Sequence, residues 1–430
     1  MTRRRSEVAD AAGSVPDAAS FLRDFATMST FGATPGGGVD RQAGSPADVA
    51  QRNWFHGLLE SHGLEVRYDR VGNQFGLLET TPGAPYVVVG SHMDSQPTAG
   101  RFDGAYGVMA AAHAAFRLAD TWSRTQHAPR HNIAVVNWFN EEGSRFVPSM
   151  MGSSVYTGVL PLETALATAD ASGVTVEDVL DAAGFRSDWD GPEAISCAEI
   201  HVEQGRLLEN AATTIGLVTA TWAASKYEIV VEGAQAHSGA TVMADRRDAL
   251  YAAALLVVFA RELADRFPGV LHTAVGKIDV YPNSPVVVAS HVRLLLDLRC
   301  SDETVLAQAD AALQAEVTRI EELARVRIEQ RLSHSWGIDP YQPAGIELSR
   351  DVAAGLGYPH DEILTVAGHD SVNMKRQVPT VMLFVPSVEG ISHNEAELTR
   401  DEDLLAGLDV LTEVVRRLAD GALTAGETDD

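Results

Sequence analysis

The sequence predicts a two-domain α/β protein, with a catalytic domain of mixed, mostly parallel sheet flanked by helices and a smaller inserted α+β sandwich. Three observations lead there. Short β-branched runs such as Tyr86-Val87-Val88-Val89, Ile133 to Phe139 and Thr380 to Val385 read as strands buried on both faces. They are spaced by helical stretches in the first half of the chain and again beyond about Glu329. Between these regions the texture changes to partly alternating strands beside two long helices, the composition of a sheet covered on one side. A chain of 430 residues also exceeds what one core usually carries. The expected division is 1–211 and 330–430 for the catalytic domain, with 212–329 inserted.

Ser45 can cap a helix that runs to His62, and Pro46 suits its first position. Glu65 to Leu78 reads as a hairpin turning near Gly72-Asn73. The strand at Tyr86 follows, then an Ala-rich helix from Ala105 to Leu118, the strand Ile133 to Phe139, a helix near Thr175 to Ala183, and a short strand from Ile195 to His201. In the inserted segment Thr214 to Thr221, Lys226 to Val231, Thr273 to Val280 and Val286 to Leu298 read as strands, with helices over Ala244 to Asp265 and Asp302 to Leu323. Beyond it come the strand Ile363 to Val366, the strand Thr380 to Val385, and a closing helix, Asp401 to Leu418. Its apolar face is Leu404, Leu405, Leu408, Val410, Leu411, Val414 and Val415. Residues 1 to about 18 and Ala425 to Asp430 read as frayed ends.

A formal charge of −26 argues against nucleic-acid or anionic-membrane partners, since no basic patch dominates such a field. Solubility is its simplest reading. Cys197 and Cys300 form no CxxC pattern, so a disulfide framework is not expected and a reducing compartment is. The basic start, Met1-Thr2-Arg3-Arg4-Arg5, lacks a following apolar core, and no run reaches membrane-spanning length. A cytoplasmic location is expected.

The chemistry concentrates just beyond the buried strands. Gly90-Ser91-His92-Met93-Asp94-Ser95 and Gly100-Arg101-Phe102-Asp103-Gly104 follow one, Asn140-Glu141-Glu142-Gly143 another, and His201 and His393 end or follow two more. Open α/β sheets keep ligand sites at such carboxyl ends. His92, Asp103, Glu142, His201 and His393 together offer imidazole and carboxylate donors of the kind zinc takes, and Asp103 is the natural shared bridge between two ions. Side chains of adjacent residues at a strand end point apart. Glu142 is therefore read as a ligand, and Glu141 as general base and acid facing the reacting water. Asp94 is positioned to receive the free imidazole N–H of His92. His237, in Ala236-His237-Ser238-Gly239, is either an oxyanion donor or a helix-entry histidine; Arg299 is either a fork for a substrate carboxylate or half of a structural ion pair.

These motifs, together with Ala367-Gly368-His369-Asp370 and Gly390 to Glu397, resemble in content and order the binuclear-zinc amidohydrolases related to aminoacylases. The match is to the subfamily of N-carbamoyl-L-amino acid hydrolase, β-ureidopropionase and allantoate amidohydrolase, and it spans about Phe31 to Leu418. The resemblance implies two zinc ions (manganese, cobalt or nickel being alternatives) on the five ligands named, with Glu141 catalytic. It implies substrate contacts from Gln204, Gly368 and Arg299, and a homodimer built through the inserted lid domain, with His237 reaching the partner's active site. The implied reaction is hydrolysis of a ureido amide. Three features depart from the pattern, one of them the run Ala220-Thr221-Trp222-Ala223-Ala224, where an aromatic-Gly pattern is usual. Val286 stands where the family usually places a substrate-contacting Asn, leaving nearby Asn283 as the candidate polar contact, and Thr241-Val242-Met243 lacks the usual proline. An amidase acting on another small acyl amide and a non-catalytic metal-binding homologue are the rival readings.

Overall fold

Val87, Val88 and Val89 are each 0 % exposed in the computed structural model of the chain, which describes residues 17–424. Their burial follows from the layer order. Val87 and Val89 pack into one core with the helices on that side of the sheet, while Val88 packs with Phe75, Trp138, Cys197 and Met374 on the other. Burying such a side chain contributes about 1.5–3 kcal/mol, so a strand of continuous apolar residues holds only where both faces are covered.

The main strands of this sheet are β1 (Glu65–Tyr68), β2 (Gln74–Leu78), β3 (Tyr86–His92), β4 (Asn132–Trp138), β5 (Ala194–Val202), β6 (Ile215–Thr221) and the strand Thr380–Val385; the strands Asp339–Pro340 and His360–Thr365 also pair with β6. Their order is β1-β2-β4-β3-β5, then Thr380–Val385, then β6. The central four, β4, β3, β5 and Thr380–Val385, run parallel; β1, β2 and β6 pair antiparallel on either side. The sheet is thus mixed and mostly parallel. Helices α1 (Ala18–Met28), α2 (Pro46–Ser61) and α3 (Ala105–Thr125) precede or follow these strands, and Asp401–Ala419 closes the same core. Ser45 caps α2, accepting from Asp48 N–H, with Pro46 at its first turn. α3 lies close on the sheet because Gly107 faces β5: a Cβ there would stand 2.2 Å from the carbonyl oxygen of Ile200.

The chain separates into two compact units, 1–219 with 341–363 and 368–430, and 220–340 with 364–367. The second unit has a four-stranded antiparallel sheet in the order Arg327–Trp336, Ala223–Glu232, His291–Cys300, Leu271–Tyr281. The helices Ala249–Asp265 and Glu303–Ala324 pack on it through Leu256, Leu263, Leu313 and Ile320.

Several expectations for the inserted segment, placed at 212–329, need correction. The first strand, Ile215–Thr221, joins the larger sheet, and the fourth strand of the smaller one is Arg327–Trp336. That strand is an exposed edge with little apolar content to announce it. The long helix begins after Asp248, whose side chain accepts from the N–H groups of Leu250 and Tyr251; Met243–Asp245 before it is a single 3-10 turn. Val286 to Leu298 is not one strand but a two-residue piece, Val287–Val288, and then His291–Cys300. The expected frayed ends lie outside the described residues, except that Ala18 already starts α1.

Candidate metal centre

Parallel strands deliver their carboxyl ends to one edge of a sheet, and here that edge collects four loops. His92 pairs with Trp138 in register across β3 and β4, so Asn140, Glu141 and Glu142 emerge beside it. His201 of β5 pairs with Phe384, which places the loop carrying His393 alongside. Three residues in these loops, Asn140 (φ 53°), Gln204 (φ 58°) and His393 (φ 53°), hold left-handed backbone without being glycine. Such conformations cost of order 1–3 kcal/mol and cluster at functional sites.

Asp103 lies at the centre. Its Oδ1 is 3.0 Å from Nε2 of His201 and 3.7 Å from Nε2 of His92; its Oδ2 is 3.1 Å from Nε2 of His393. Glu142 Oε2 is 3.5 Å from Nε2 of His393. Two donor groups result, His92–Asp103–His201 and Asp103–Glu142–His393, each with one atom per residue lying within 4.8 Å of the others. Glu141 belongs to neither; its Oε2 stands 3.4 Å from Nε2 of His92.

The rings are held for ligation. Nδ1 of His92 is 3.0 Å from the carbonyl oxygen of Asp94, and Nδ1 of His201 is 2.8 Å from that of Val202. Nδ1 therefore carries the proton in both, and Nε2 turns toward Asp103. Gly104, at φ 61°, sits against both rings: its N–H donates to Nε2 of His201 at 2.8 Å, and a Cβ would stand 2.3 Å from Nε2 of His92. Gln96 donates to Glu142 from its N–H at 3.2 Å and from Nε2 at 2.9 Å.

Asp94 does something other than expected. Its carboxylate stands 3.6 Å from Nδ1 of His92, which bonds the Asp94 carbonyl instead, and accepts the N–H groups of Glu141 (3.1 Å) and Glu142 (3.2 Å). It clamps the Glu-Glu turn. A carboxylate beside two adjacent N–H donors gains more from them than from one ring at longer range.

The electrostatics describe a site short of positive charge. Burial, then Asp370, Glu142, Asp94 and Asp103, hold the Glu141 carboxyl well above the usual carboxylate range. Burial and then Asp103 push Glu142 up to about 8. Burial lowers His92 to about 4. Burial opposes charging of His201 too, but the Asp103 hydrogen bond and charge prevail and raise it to about 9; the same hydrogen bond raises His393 to about 9. Crowded carboxylates with imidazole nitrogens aimed between them form a donor set that suits divalent cations of the zinc type.

The other candidates divide between the units. Gln204 joins the centre, its Nε2 donating to Oδ2 of Asp103 at 2.9 Å. Gly368 stands in the same unit, where a Cβ would be 3.2 Å from the methyl of Met150. His237, Asn283 and Arg299 belong to the smaller unit. His237 is exposed, and its Nδ1 accepts from the N–H groups of Gly239 (3.0 Å) and Ala240 (3.1 Å), so its proton sits on Nε2. Asn283 is exposed at φ 50°. Arg299 is engaged by Asp297 at 3.0 Å and by the carbonyl oxygen of Val366 at 2.8 Å. Sequence reasoning missed Gln96, Glu199, Asp370, Ser392 and Glu397, buried or half-buried groups around the same edge; Asp370, Ser392 and Glu397 fell inside motifs already singled out.

Comparison with known proteins places these features in a group. The profile of peptidase family M20/M25/M40 matches residues 88–417. The chain is 55% identical over 411 residues, 94% of each chain, to a protein of Mycolicibacterium smegmatis described in general terms as a hydrolase. It is 35% identical to an N-carbamoyl-L-amino-acid amidohydrolase of Rhizobium meliloti, covering 91% of this chain and 94% of the other. The crystal structure of an amidase of the hydantoinase/carbamoylase family from Burkholderia vietnamiensis superposes with a TM-score of 0.87 at 35% identity, covering 94% of this chain and 98% of that one.

Proposed function

The chain belongs to peptidase family M20/M25/M40, as a hydrolase of its amidohydrolase branch, and on that basis we propose that it hydrolyses N-carbamoyl amino acids. The substrate is of the N-carbamoyl-L-amino acid or N-carbamoyl-β-alanine type, and one water converts it to the amino acid, carbon dioxide and ammonia. The observation that carries this reading is the doubled donor set sharing Asp103. In this reading His92, Asp103 and His201 hold one zinc ion, and Asp103, Glu142 and His393 the other; manganese, cobalt or nickel suits the same donors.

Such a pair, when bound, supplies Lewis acidity at the ureido carbonyl and lowers the pKa of water toward neutrality. Glu141 takes the proton of the attacking water and returns it to the departing nitrogen, a task suited to a carboxyl whose proton affinity burial has raised. Asp94 keeps Glu141 and Glu142 at the edge by holding both N–H groups. Gln204 and Gly368 orient the substrate, Arg299 grips its carboxylate, Asn283 offers an amide, and His237 stabilises the oxyanion with its Nε2–H.

The same reading makes the protein a homodimer through the smaller unit. Leu271–Tyr281 is the outer strand of that sheet, and the neighbouring helix Ala249–Asp265 leaves Leu250, Tyr251, Val257 and Val258 between 38% and 55% exposed. Sedimentation should give twice the chain mass, and Val258→Glu should shift it toward the monomer. Free Cys197 and Cys300 accord with a reducing, cytoplasmic setting. No helix among the described residues is long and apolar enough to cross a membrane.

The deciding test is ammonia release by the zinc-loaded protein from N-carbamoyl-β-alanine and N-carbamoyl-L-amino acids, beside N-acyl amino acids. Val286, 60% exposed where the family pattern has an amide, is the observation favouring the acyl alternative. Turnover confined to the acyl series would discard the carbamoyl assignment.

A further inference from the structure

One buried carboxylate at the centre has no part in the chemistry above. Glu397 is 5% exposed and lies four residues beyond His393. A tight turn returns it: its N–H donates to the carbonyl oxygen of Asn394 at 3.0 Å, and the N–H of Ala396 donates to Oδ1 of Asn394 at 2.9 Å. Its Oε2 accepts the N–H groups of Phe102 at 2.9 Å and Asp103 at 3.1 Å. Its Oε1 accepts the hydroxyl of Ser392 at 2.9 Å. The Ser392 oxygen stands 3.2 Å from Oδ2 of Asp103 and accepts Nε2 of Gln204 at 3.1 Å.

Both oxygens are thus committed to donors, and Glu397 is a member of neither donor group. The two loops it joins are far apart in sequence, one following β3 and the other following Thr380–Val385. The chain makes room for it at Gly100, where a Cβ would stand 2.0 Å from Oε2. The backbone of the Asp103 loop therefore lies directly against this carboxylate.

We propose that Glu397 is a positioning residue, fixing the Asp103 backbone and, through the Ser392 hydroxyl and the Gln204 amide that bonds both Ser392 and Asp103, the Asp103 carboxylate against His393, so that one carboxylate serves both donor groups at once. The inference rests on the metal-centre reading. It makes a claim about shape rather than charge. An amide at this position can accept both N–H groups with its oxygen and donate to Ser392 with its nitrogen; a shorter carboxylate keeps the charge but cannot span the loops.

The test compares Glu397→Ala, Glu397→Gln and Glu397→Asp with the unaltered chain. Zinc affinity is measured by chelator competition, metal content by elemental analysis, and kcat and KM on the best substrate of the panel. Removing an outer partner of a ligand typically costs about 10–100-fold in metal affinity or activity. Glu397→Ala and Glu397→Asp should lose that much in affinity for at least one zinc and in kcat, with KM moved by less than about threefold. Glu397→Gln should stay within about threefold of the unaltered chain in all three. Should Glu397→Ala not fold, the contrast between Gln and Asp decides alone. Rescue by Asp and not by Gln, or full zinc affinity in both Ala and Asp variants, overturns the proposal. An unaltered chain that binds no zinc overturns the metal centre instead.

Discussion

Glu141 and Glu142 are neighbours with the same side chain, yet one contacts His92 and the other His393. The loop beyond β4 divides them, turned by left-handed Asn140 and held by Asp94 through both N–H groups, rather than the alternation of a strand from which the sequence reading parted them. On the proposed reading, Glu141→Gln should keep the metal content of the unaltered chain while kcat falls about 10²–10⁴-fold, read from metal content beside ammonia release; a variant that stays active removes Glu141 as the base. What Asp94 does was not legible, because its partners are the N–H groups of Glu141 and Glu142, and backbone donors leave no mark in a sequence. His131 shows the same blindness away from the site. Both its ring nitrogens are buried without a hydrogen-bond partner among the described residues, and burial, then Arg130, lowers its pKa from the usual 6.5. The unfolded chain therefore takes up the proton more readily. This part of the stability is complete above pH 6.5 and is lost as pH falls through that value toward the folded pKa. His131→Phe should leave stability at pH 7.5 equal or higher and flatten the decline below pH 6.5 in urea titrations; an unchanged acid slope would show that the folded state charges this ring freely.

At the scale of elements, packing decides where propensity cannot. α2 and α3 each carry an internal glycine, Gly57 and Gly107, which propensity treats alike. A Cβ at Gly57 meets nothing within 4 Å, whereas at Gly107 it would stand 2.2 Å from the carbonyl oxygen of Ile200 in β5. Gly57→Ala should stabilise by about 0.5–1 kcal/mol, and Gly107→Ala should destabilise by about 1–3 kcal/mol, with urea midpoints moving in opposite directions. Equal shifts would mean that α3 does not lie on β5 this closely. The elements that sequence reasoning found best, β3, β4 and Thr380–Val385, are those buried on both faces, whose apolar runs leave little choice. It failed at Arg327–Trp336, where nearly every residue is exposed and register comes from pairing with Ala223–Glu232 instead. It also started the helix Ala249–Asp265 too early, because the 3-10 turn at Met243–Asp245 carries a helical composition and only the Asp248 cap marks the true start.

For the whole molecule, the division of the chain places both donor groups of the proposed metal centre in one unit. Every residue of the two donor groups lies in the unit formed by 1–219, 341–363 and 368–430, and the core of 220–340 contains none of them. A ligand that binds only the folded form stabilises by about 2.7 kcal/mol per site at a free concentration a hundred times its Kd. Calorimetry of the zinc-loaded protein should therefore show a transition for the larger unit that chelation lowers by about 5 °C or more. The transition of the smaller unit, held by Leu256, Leu263, Leu313 and Ile320 rather than by any charged centre, should stay where it is. The crowding of Glu141, Glu142 and Asp103 adds to the expected loss, since without cations those carboxylates face one another across a buried edge, and one or more must take up a proton for the fold to persist. The chelated protein should accordingly lose stability as pH rises from about 4.5 to about 8, the range in which the folded chain keeps a proton on Glu142 that the unfolded chain has released, and zinc should abolish that slope. A single transition that moves as a whole would mean the two units unfold together; a larger-unit transition indifferent to zinc would mean the five ligands do not gather on a cation at all.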